Sequence, residues 1–206
     1  MPQEPVITIL SRISASSLGV FRLERATALG VTPNQLARLT RQGVIERVHP
    51  STYRMTSVAP SSAQRLQAAL LWADDRAAAA GRSAAELHRL EGVRATVPEI
   101  VLPARVRGRV EGVTVYNGET AALMVRTIAG VRTTGVECTL LRLAHLLDAE
   151  AFEVACEDAR RRRLTSVAAL RSYLARFGRR GRPGVVSMRR LLDELDPTHP
   201  ARSTLE

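Results

Sequence analysis

The stretch LERATALGVTPNQLARLTRQGVIERVHPSTYRM, residues 23–55, is the part of the chain that most restricts its fold. Its first segment, LERATALG, has the length of two helical turns and ends at Gly30, a residue type that commonly closes helices in a left-handed conformation. Thr32 and Pro33 then provide an N-cap and a first-turn residue for a second helix over 33–42. Because only a very tight turn separates the two helices, the stretch predicts a helix-turn-helix.

The second of these helices has two different faces. At 100° per residue, Leu36, Leu39 and Thr40 lie on one side, which predicts contact with a core. The opposite arc has side chains that can recognise base edges, because Arg pairs with guanine and Asn or Gln with adenine. Most polar helix faces only contact water, so this arc alone does not establish DNA binding. With Thr32 at the start of the helix, the candidate DNA-binding residues are Asn34, Gln35, Arg38, Arg41 and Gln42.

A predicted β-hairpin follows this helix at once. Gly43 ends the helix, and VIERV and TYRM are two short strand-like segments on either side of HPS, a tight turn that contains Pro50. A helix-turn-helix followed by a hairpin is a winged helix, and the helical spacing of apolar residues in PVITILSRISASSLGVF predicts its first helix. The alternative is a winged helix used only for protein contacts. If the wing binds DNA, it brings four more side chains to the backbone or minor groove: Arg47, His49, Ser51 and Arg54.

A short polar segment separates this hairpin from a second region with a different pattern of predicted helices and strands. TSVAPSS is a short Thr/Ser/Pro segment that predicts a linker and a domain boundary near residue 58. Beyond it, we predict helices around 61–80 and in SAAELHRL and strands at 99–103 and 113–117. MVRTIAGVRTTG predicts either a strand pair or an extended segment. Four helices follow, in CTLLRLAHLL, AEAFEVACEDARRRR, SVAALRSYLARF and VVSMRRLLDEL. We therefore predict an α+β protein with three parts: an N-terminal winged helix-turn-helix at 1–57, a mixed α/β domain that ends in a small helical bundle at 61–195, and a tail at 196–206.

Basic charge is concentrated in two parts of the sequence. All 30 basic residues are Arg, and Arg without Lys is what a GC-rich genome produces, so the net charge of +10 is less informative than its position. Residues 1–57 contain seven Arg and three Glu, whereas residues 160–190 contain eleven Arg and no acid. Neutralisation of phosphates with counterion release is the main source of nonspecific nucleic-acid affinity, so this segregation favours a surface that faces a polyanion. The alternative is a solvated helical face.

The second basic segment includes GRRGRPG at residues 178–184. Its core resembles an AT-hook, a short segment that places Arg side chains in a narrow minor groove. The segment also lies between two amphipathic helices, and Gly and Pro are what a helix-helix loop requires, so we favour the loop. Either interpretation permits phosphate or partner contact by the arginines of this region. The candidates are Arg160, Arg161, Arg162, Arg163, Arg179, Arg180, Arg182, Arg189 and Arg190.

The sequence contains no recognisable catalytic or metal-binding motif. Cys138 and Cys156 lack CxxC spacing and a neighbouring His cluster, which predicts buried reduced thiols rather than zinc ligands. His88 and His145 have no Ser, Cys or carboxylate at a spacing that implies a relay. No GxxxxGK[ST], GxGxxG or HExxH occurs. We therefore expect a protein that is not an enzyme and uses no cofactor or metal.

The expected location is the cytoplasm. About 45% of the residues are hydrophobic, which suffices for a packed core, but no apolar run approaches the roughly 18 residues of a membrane helix. The N-terminal MPQEPVITILSR has no basic region and no small-residue cleavage site after an apolar segment, so it does not predict a signal peptide.

Taken in order, several segments resemble the AbiEi-type antitoxins of actinobacteria, the winged helix-turn-helix regulators of type IV toxin-antitoxin systems. The resemblance covers roughly residues 18–195, and no single motif is diagnostic. It lies in the order and spacing of the 23–55 stretch, QRLQAALLWA, RSAAELHRLEG, VTVYNG, GVECTLLRLAHLLD, AFEVACEDARRRRLTSVAALRSYL and GRRGRPG.

The resemblance implies a function and its partners. Proteins of this family neutralise a nucleotidyltransferase-type toxin encoded beside them and repress their own promoter by binding inverted repeats. This implies double-stranded DNA and the cognate toxin as partners, with two copies on a palindromic site. It also assigns the DNA contacts to the recognition helix and wing named above, and it offers no catalytic residues.

An alternative function belongs to a different class. Many similar proteins continue into a restriction-endonuclease-like domain, whereas nothing in these 206 residues predicts DNA cleavage. The chain would then be the DNA-targeting or protein-binding portion of a nuclease whose catalytic domain is absent from this sequence. The codons that follow Glu206 and the neighbouring gene distinguish the two hypotheses.

Overall fold

The structure, a computed structural model, describes residues 4–103 and 108–195, so the predicted tail at 196–206 lies outside the described residues. It confirms the α+β class. The chain forms two compact units, each built from two segments. Of the described residues, the first unit contains 4–79, 95–103 and 108–117, and the second contains 80–94 and 118–195.

The first unit begins with a winged helix-turn-helix. It consists of three helices and three short strands, which follow one another in the order helix, strand, helix, helix, strand, strand. The strands form an antiparallel sheet in the order β1-β3-β2. In chain order the elements are α1 (Val6–Ser14), β1 (Val20–Arg22), α2 (Leu23–Thr27), α3 (Pro33–Arg41), β2 (Ile45–His49) and β3 (Thr52–Met55).

Strand β1 was not predicted. The sequence analysis includes Val20 and Phe21 in the segment PVITILSRISASSLGVF, which predicts a helix. Helix α1 ends at Ser14, and Leu18 and Gly19 both adopt left-handed backbone conformations. The chain therefore turns, and β1 pairs with β3 in the register Phe21 to Tyr53. A strand of three residues is too short to show a period in the sequence.

One hydrophobic core joins these elements. Leu10 of α1 and Phe21 of β1 are almost completely buried, together with Leu36 of α3, Ile45 of β2 and Met55 of β3. Burying such a side chain is worth about 1.5–3 kcal/mol each. The core therefore fixes the orientation of α3 against the sheet and α1.

The rest of the first unit packs beside the wing. Helix α4 (Ser62–Trp72) contacts all three strands of the wing sheet. Three further strands lie in the order β6-β5-β4. These are β4 (Ala78–Ala79), β5 (Glu99–Pro103) and β6 (Thr114–Gly118). The predicted domain boundary near residue 58 stays a prediction.

The helix predicted for residues 61–80 is too long. Helix α4 ends at Trp72, Asp74 adopts a left-handed conformation with φ +63°, and Ala78 and Ala79 are extended. Ala has the highest intrinsic helix propensity, but Ala78 pairs with Val101 of β5, and both are buried. Tertiary pairing therefore overrides the local preference of the Ala run.

The second unit is mainly helical, and α7 lies at its centre. Helix α7 contacts α5, α8, α9 and α10, and its Leu140, Leu141 and Leu143 are buried. The predicted four consecutive helices and the strand pair are confirmed, whereas the short α6 was not predicted. The elements are α5 (Gly81–His88), α6 (Thr120–Leu123), β7 (Arg126–Ile128), β8 (Val131–Thr133), α7 (Val136–Leu146), α8 (Ala149–Arg161), α9 (Val167–Phe177) and α10 (Val185–Glu194).

Candidate nucleic-acid interface

The start of α3 is fixed by a reciprocal cap. The backbone N–H of Gln35 donates to Oγ1 of Thr32 at 3.2 Å, and the backbone N–H of Thr32 donates to Oε1 of Gln35 at 2.8 Å. Pro33 occupies the first turn, where its missing N–H costs nothing. Thr32 and Gln35, both predicted to contact DNA, therefore have a structural role at the helix start.

The rotation of α3 about its axis is set by two leucines. Leu36 and Leu39 are only 1% and 4% exposed and face the core, as predicted. Thr40, which the helical projection placed on the same side, is exposed instead, and its hydroxyl donates to the carbonyl oxygen of Leu36 at 2.9 Å. The burial of both leucines turns the opposite face of the helix outward.

That outward face has the polar side chains predicted to recognise DNA. Asn34, Arg38, Arg41 and Gln42 are all exposed. Within residues 4–103 and 108–195, none of their side chains forms a hydrogen bond or ion pair. Four groups with hydrogen-bond donors are therefore presented on one helix face, free to bind a ligand.

The four wing side chains predicted to contact DNA differ in their exposure and in their partners within the protein. Arg47 is exposed and its guanidinium has no partner in the described structure. Ser51 is half-buried in a left-handed turn with φ +55°, and its carbonyl oxygen accepts from the backbone N–H of Leu23 at 2.8 Å. The ring of His49 lies 6.4 Å from that of Trp72, and burial lowers the pKa of His49. A neutral imidazole can donate one hydrogen bond but supplies no charge at neutral pH.

Arg54 is held by the protein itself. Its guanidinium donates to the Glu46 carboxylate at 2.7 and 2.8 Å, and also to the carbonyl oxygen of Val58 at 3.3 Å. Glu46 and Arg54 are opposite each other in the β2–β3 pairing, and the Arg54 side chain is only 17% exposed. Opposite charges across a strand pair stabilise a sheet. Of the two wing arginines, Arg47 is therefore the one available to phosphate.

Arg25 is a further exposed cation that the sequence prediction did not include. It lies on α2, beside the buried Ala26, and has no partner among the residues described. In helix-turn-helix proteins the first helix of the motif crosses the DNA backbone, which is where a phosphate contact is expected. A helical projection of α2 that places Ala26 toward the core puts Arg25 on the exposed side, so the sequence contains a signal for this residue.

In the second unit, many of the predicted arginines have partners within the protein. Arg161 and Arg162 bind the buried carboxylate of Asp158, and Arg162 also donates to the carbonyl oxygens of His88 and Arg89. Four others are also engaged. Arg179 pairs with Glu119, Arg182 donates to the carbonyl of Phe177 and the hydroxyl of Tyr173, Arg189 donates to the carbonyl of Gly178, and Arg190 pairs with Glu194.

Three of the nine predicted arginines have no such partner. Arg160, Arg163 and Arg180 form no side-chain hydrogen bond or ion pair in the part of the chain that the structure describes. Arg160 and Arg163 line an open groove of about 800 Å³ at the junction of α8 and α9. Glu137 and Glu157 line it as well, so its charge is mixed.

The segment GRRGRPG forms the loop between α9 and α10. Arg182 packs over the Tyr173 ring, with its guanidinium carbon 5.8 Å from the ring centre. Gly184 adopts φ +85° against α7, where a Cβ atom would overlap the carbonyl oxygen of Leu141. These contacts favour the loop interpretation over an AT-hook, because Arg182 and Gly184 both pack against other residues of the second unit.

Other kinds of site find no support in the described residues. Cys138 and Cys156 are buried free thiols, and burial raises the pKa of Cys156 to about 11. No group of three or more His, Cys, Asp or Glu side chains that could hold a metal ion occurs in residues 4–103 and 108–195. Nor does any helix in those ranges have the length and apolar character needed to cross a membrane.

Comparison with known structures supports the fold. A solved protein of Mycobacterium tuberculosis, described as RV2827C protein, superposes with a TM-score of 0.57 and 18% sequence identity, over 90% of this chain and 75% of that one. At this identity the likeness shows the fold alone. No curated protein sequence matches the chain.

Comparison with protein families identifies the N-terminal region. Residues 9–56 match the family described as "Transcriptional regulator, AbiEi antitoxin". This range begins within α1 and ends one residue after β3, so it covers most of the winged helix-turn-helix. The predicted resemblance to the AbiEi-type antitoxin regulators is thereby confirmed for residues 9–56.

Proposed function

We propose that this protein is a DNA-binding antitoxin that represses its own toxin-antitoxin operon and counteracts a nucleotidyltransferase-type toxin. The observation that supports DNA binding best is the orientation of α3. Its leucines are buried and its Asn34, Arg38 and Arg41 are exposed without protein partners in the described ranges. The family match of residues 9–56 supports transcriptional regulation as the use of this surface.

In the proposed complex, α3 enters the major groove, and base edges there are recognised by its exposed side chains. Arg47 of the wing and Arg25 of α2 contact the backbone on either side, and His49 contributes a neutral donor. Phosphate contacts of this kind fix the position of a protein on the duplex without reading its sequence. Arg54 is not a DNA contact in this proposal, because it pairs with Glu46.

A single winged helix contacts few base pairs, so we propose that two copies bind an inverted repeat in the promoter. The second unit then contributes either flanking phosphate contacts or toxin contacts through Arg160, Arg163 and Arg180. The toxin as partner rests on the family resemblance. Variants in each unit separately test whether toxin binding and DNA binding use different surfaces.

The DNA-binding proposal is tested by fluorescence anisotropy with the chain's own upstream promoter region and with scrambled DNA of the same composition. We expect tighter binding to the promoter. Arg38→Ala should weaken that binding by at least about fivefold, because one good base contact is worth about 1–3 kcal/mol. The matched control is Arg12→Ala, which removes the same charge from α1, where Arg12 pairs with Glu4. Equal affinity for both DNAs, unchanged by Arg38→Ala, would refute specific repression.

The antitoxin proposal is tested by co-expression with the product of the adjacent gene. We expect that product alone to arrest growth and the full chain to restore it. Co-purification of the two proteins, followed by mass measurement, then distinguishes direct binding from an indirect effect. If the adjacent gene product does not inhibit growth, or if this chain does not relieve the inhibition, the antitoxin role is wrong.

A further inference from the structure

The exposed polar residues of α3 are not equivalent. Gln35 is tied to Thr32 in the cap, and Gln42 is the C-cap residue at the far end of the helix. Three side chains remain that are exposed, lie within the helix and have no partner in the described ranges: Asn34, Arg38 and Arg41. Their positions along the helix allow different roles to be assigned to them.

The three residues form one stripe along α3. At 100° per residue, Asn34 and Arg38 are about 40° apart around the axis, and Arg41 is about 20° from Asn34 on the other side. At a rise of 1.5 Å per residue, Arg38 lies about 6 Å along the axis from Asn34, and Arg41 about 10.5 Å from it. The buried leucines hold this stripe opposite the core, so all three side chains face the same partner.

The two ends of a recognition helix meet different parts of DNA. Residues near its N terminus contact base edges, while the helix rises toward the backbone at its other end. Asn34 is the second residue of α3 and Arg38 lies at its middle, whereas Arg41 is its last residue. Arg41 is therefore placed to contact phosphate, and Asn34 and Arg38 are placed to contact bases.

The chemistry of the two base-contacting side chains then identifies the bases. An Asn carboxamide both donates and accepts, which matches N6 and N7 of adenine, and an Arg guanidinium donates twice, which matches O6 and N7 of guanine. Base pairs are spaced by about 3.4 Å, so the roughly 6 Å between the two residues corresponds to about two base pairs. We infer that Asn34 and Arg38 recognise an adenine and a guanine within about two base pairs of each other, and that Arg41 binds phosphate without reading sequence. This inference rests on the proposed function as a DNA-binding regulator.

Selection from a duplex library with a randomised segment tests the assignment even when the promoter sequence is not known. The full chain and its Asn34→Ala, Arg38→Ala and Arg41→Ala variants are each used for selection, and the bound DNA is sequenced. The wild-type motif should contain the adenine and guanine at the stated separation. Asn34→Ala should lower discrimination at the adenine alone by at least about fivefold, and Arg38→Ala should do so at the guanine alone.

Arg41→Ala is the matched control, since it is a third exposed residue on the same stripe. It should leave the motif unchanged, lower affinity for all duplexes alike, and reduce the slope of log affinity against log salt concentration by about one. All three variants replace exposed side chains, and thermal melting curves equal to that of the wild type check that each is folded.

The outcomes separate this assignment from the proposed function. If the wild-type chain selects no motif, specific DNA binding fails and the assignment fails with it. If the wild type selects a motif that lacks this adenine–guanine pair, or if Arg41→Ala removes a base preference, the assignment is overturned while the regulator stands. A motif that Asn34→Ala and Arg38→Ala leave unchanged overturns it equally.

Discussion

Nη1 of Arg162 lies 3.0 Å from Oδ2 of Asp158, one helical turn earlier at the C-terminal end of α8. The Asp158 side chain is only 6% exposed, and it also accepts from Arg161 and from the backbone N–H of Glu91. Arg162 in turn donates to the carbonyl oxygens of His88 and Arg89, where α5 ends. A buried carboxylate thus connects the ends of two helices through charged hydrogen bonds.

Asp158→Asn should destabilise the protein by about 3 kcal/mol, because removal of one partner leaves the buried hydrogen-bond network incomplete. The measurement is urea unfolding followed by far-UV circular dichroism. Glu157→Gln, the exposed neighbour on the same helix, is the control and should change stability by less than about 0.5 kcal/mol. Similar losses for the two variants would show that Asp158 is not a structural residue.

The same carboxylate predicts a dependence of stability on pH. Burial by itself would raise the pKa of Asp158, but hydrogen bonds from Arg162, Arg161 and the Glu91 backbone outweigh burial and lower it. A pKa that is lower in the folded state adds stability above the unfolded value, about 3.9, and this stability is lost as the pH falls through the folded pKa. The stability difference between wild type and Asp158→Asn should therefore be constant above about pH 5 and shrink below about pH 4. A difference that does not vary between about pH 7 and about pH 3 would contradict the lowered pKa.

Two glycines of the α9–α10 loop allow the cost of backbone conformation to be measured separately from the cost of a steric overlap. Gly181 and Gly184 adopt φ +81° and +85°, but a Cβ at Gly181 meets nothing within 4 Å, whereas a Cβ at Gly184 would overlap the carbonyl oxygen of Leu141. Gly181→Ala should cost about 1–2 kcal/mol from the backbone conformation alone. Gly184→Ala should cost at least about 2 kcal/mol more, because α7 and the loop must separate. Denaturant unfolding of the two variants measures the difference, and equal costs would mean that the loop does not pack closely on α7.

Local patterns in the sequence predicted the winged helix well. The cap at Thr32, the buried Leu36 and Leu39 and the hairpin around Pro50 depend on neighbours within a few positions, so their signals are present in the sequence itself. The capping role of Gln35 is also readable from the sequence, because Thr32 and Gln35 have the spacing of a capping box, a signal that the prediction of a DNA contact for Gln35 overlooks.

The roles of the arginines could not be predicted in the same way. Arg162 binds carbonyl oxygens more than 70 positions earlier in the chain, and Arg54 pairs with Glu46 only because β2 and β3 are in one particular register. Composition shows that a segment is basic, but the partner of each guanidinium depends on tertiary structure. For the same reason, the extended conformation of Ala78 and Ala79 was not visible in an Ala-rich run.

The Thr32 side chain gives a test that separates the stability of α3 from its contacts with DNA. Thr32→Ala removes the acceptor for the Gln35 backbone N–H and should cost about 1 kcal/mol, which for a chain of this size lowers the melting temperature by about 2–4 °C. Thr32→Ser keeps the hydroxyl and should melt close to the wild type. If the side chain acts only as a cap, Thr32→Ala should select the same DNA motif as the wild type well below its melting temperature, because Asn34 and Arg38 still face outward. A Thr32→Ala variant that melts like the wild type but selects a different motif would instead make Thr32 a base contact.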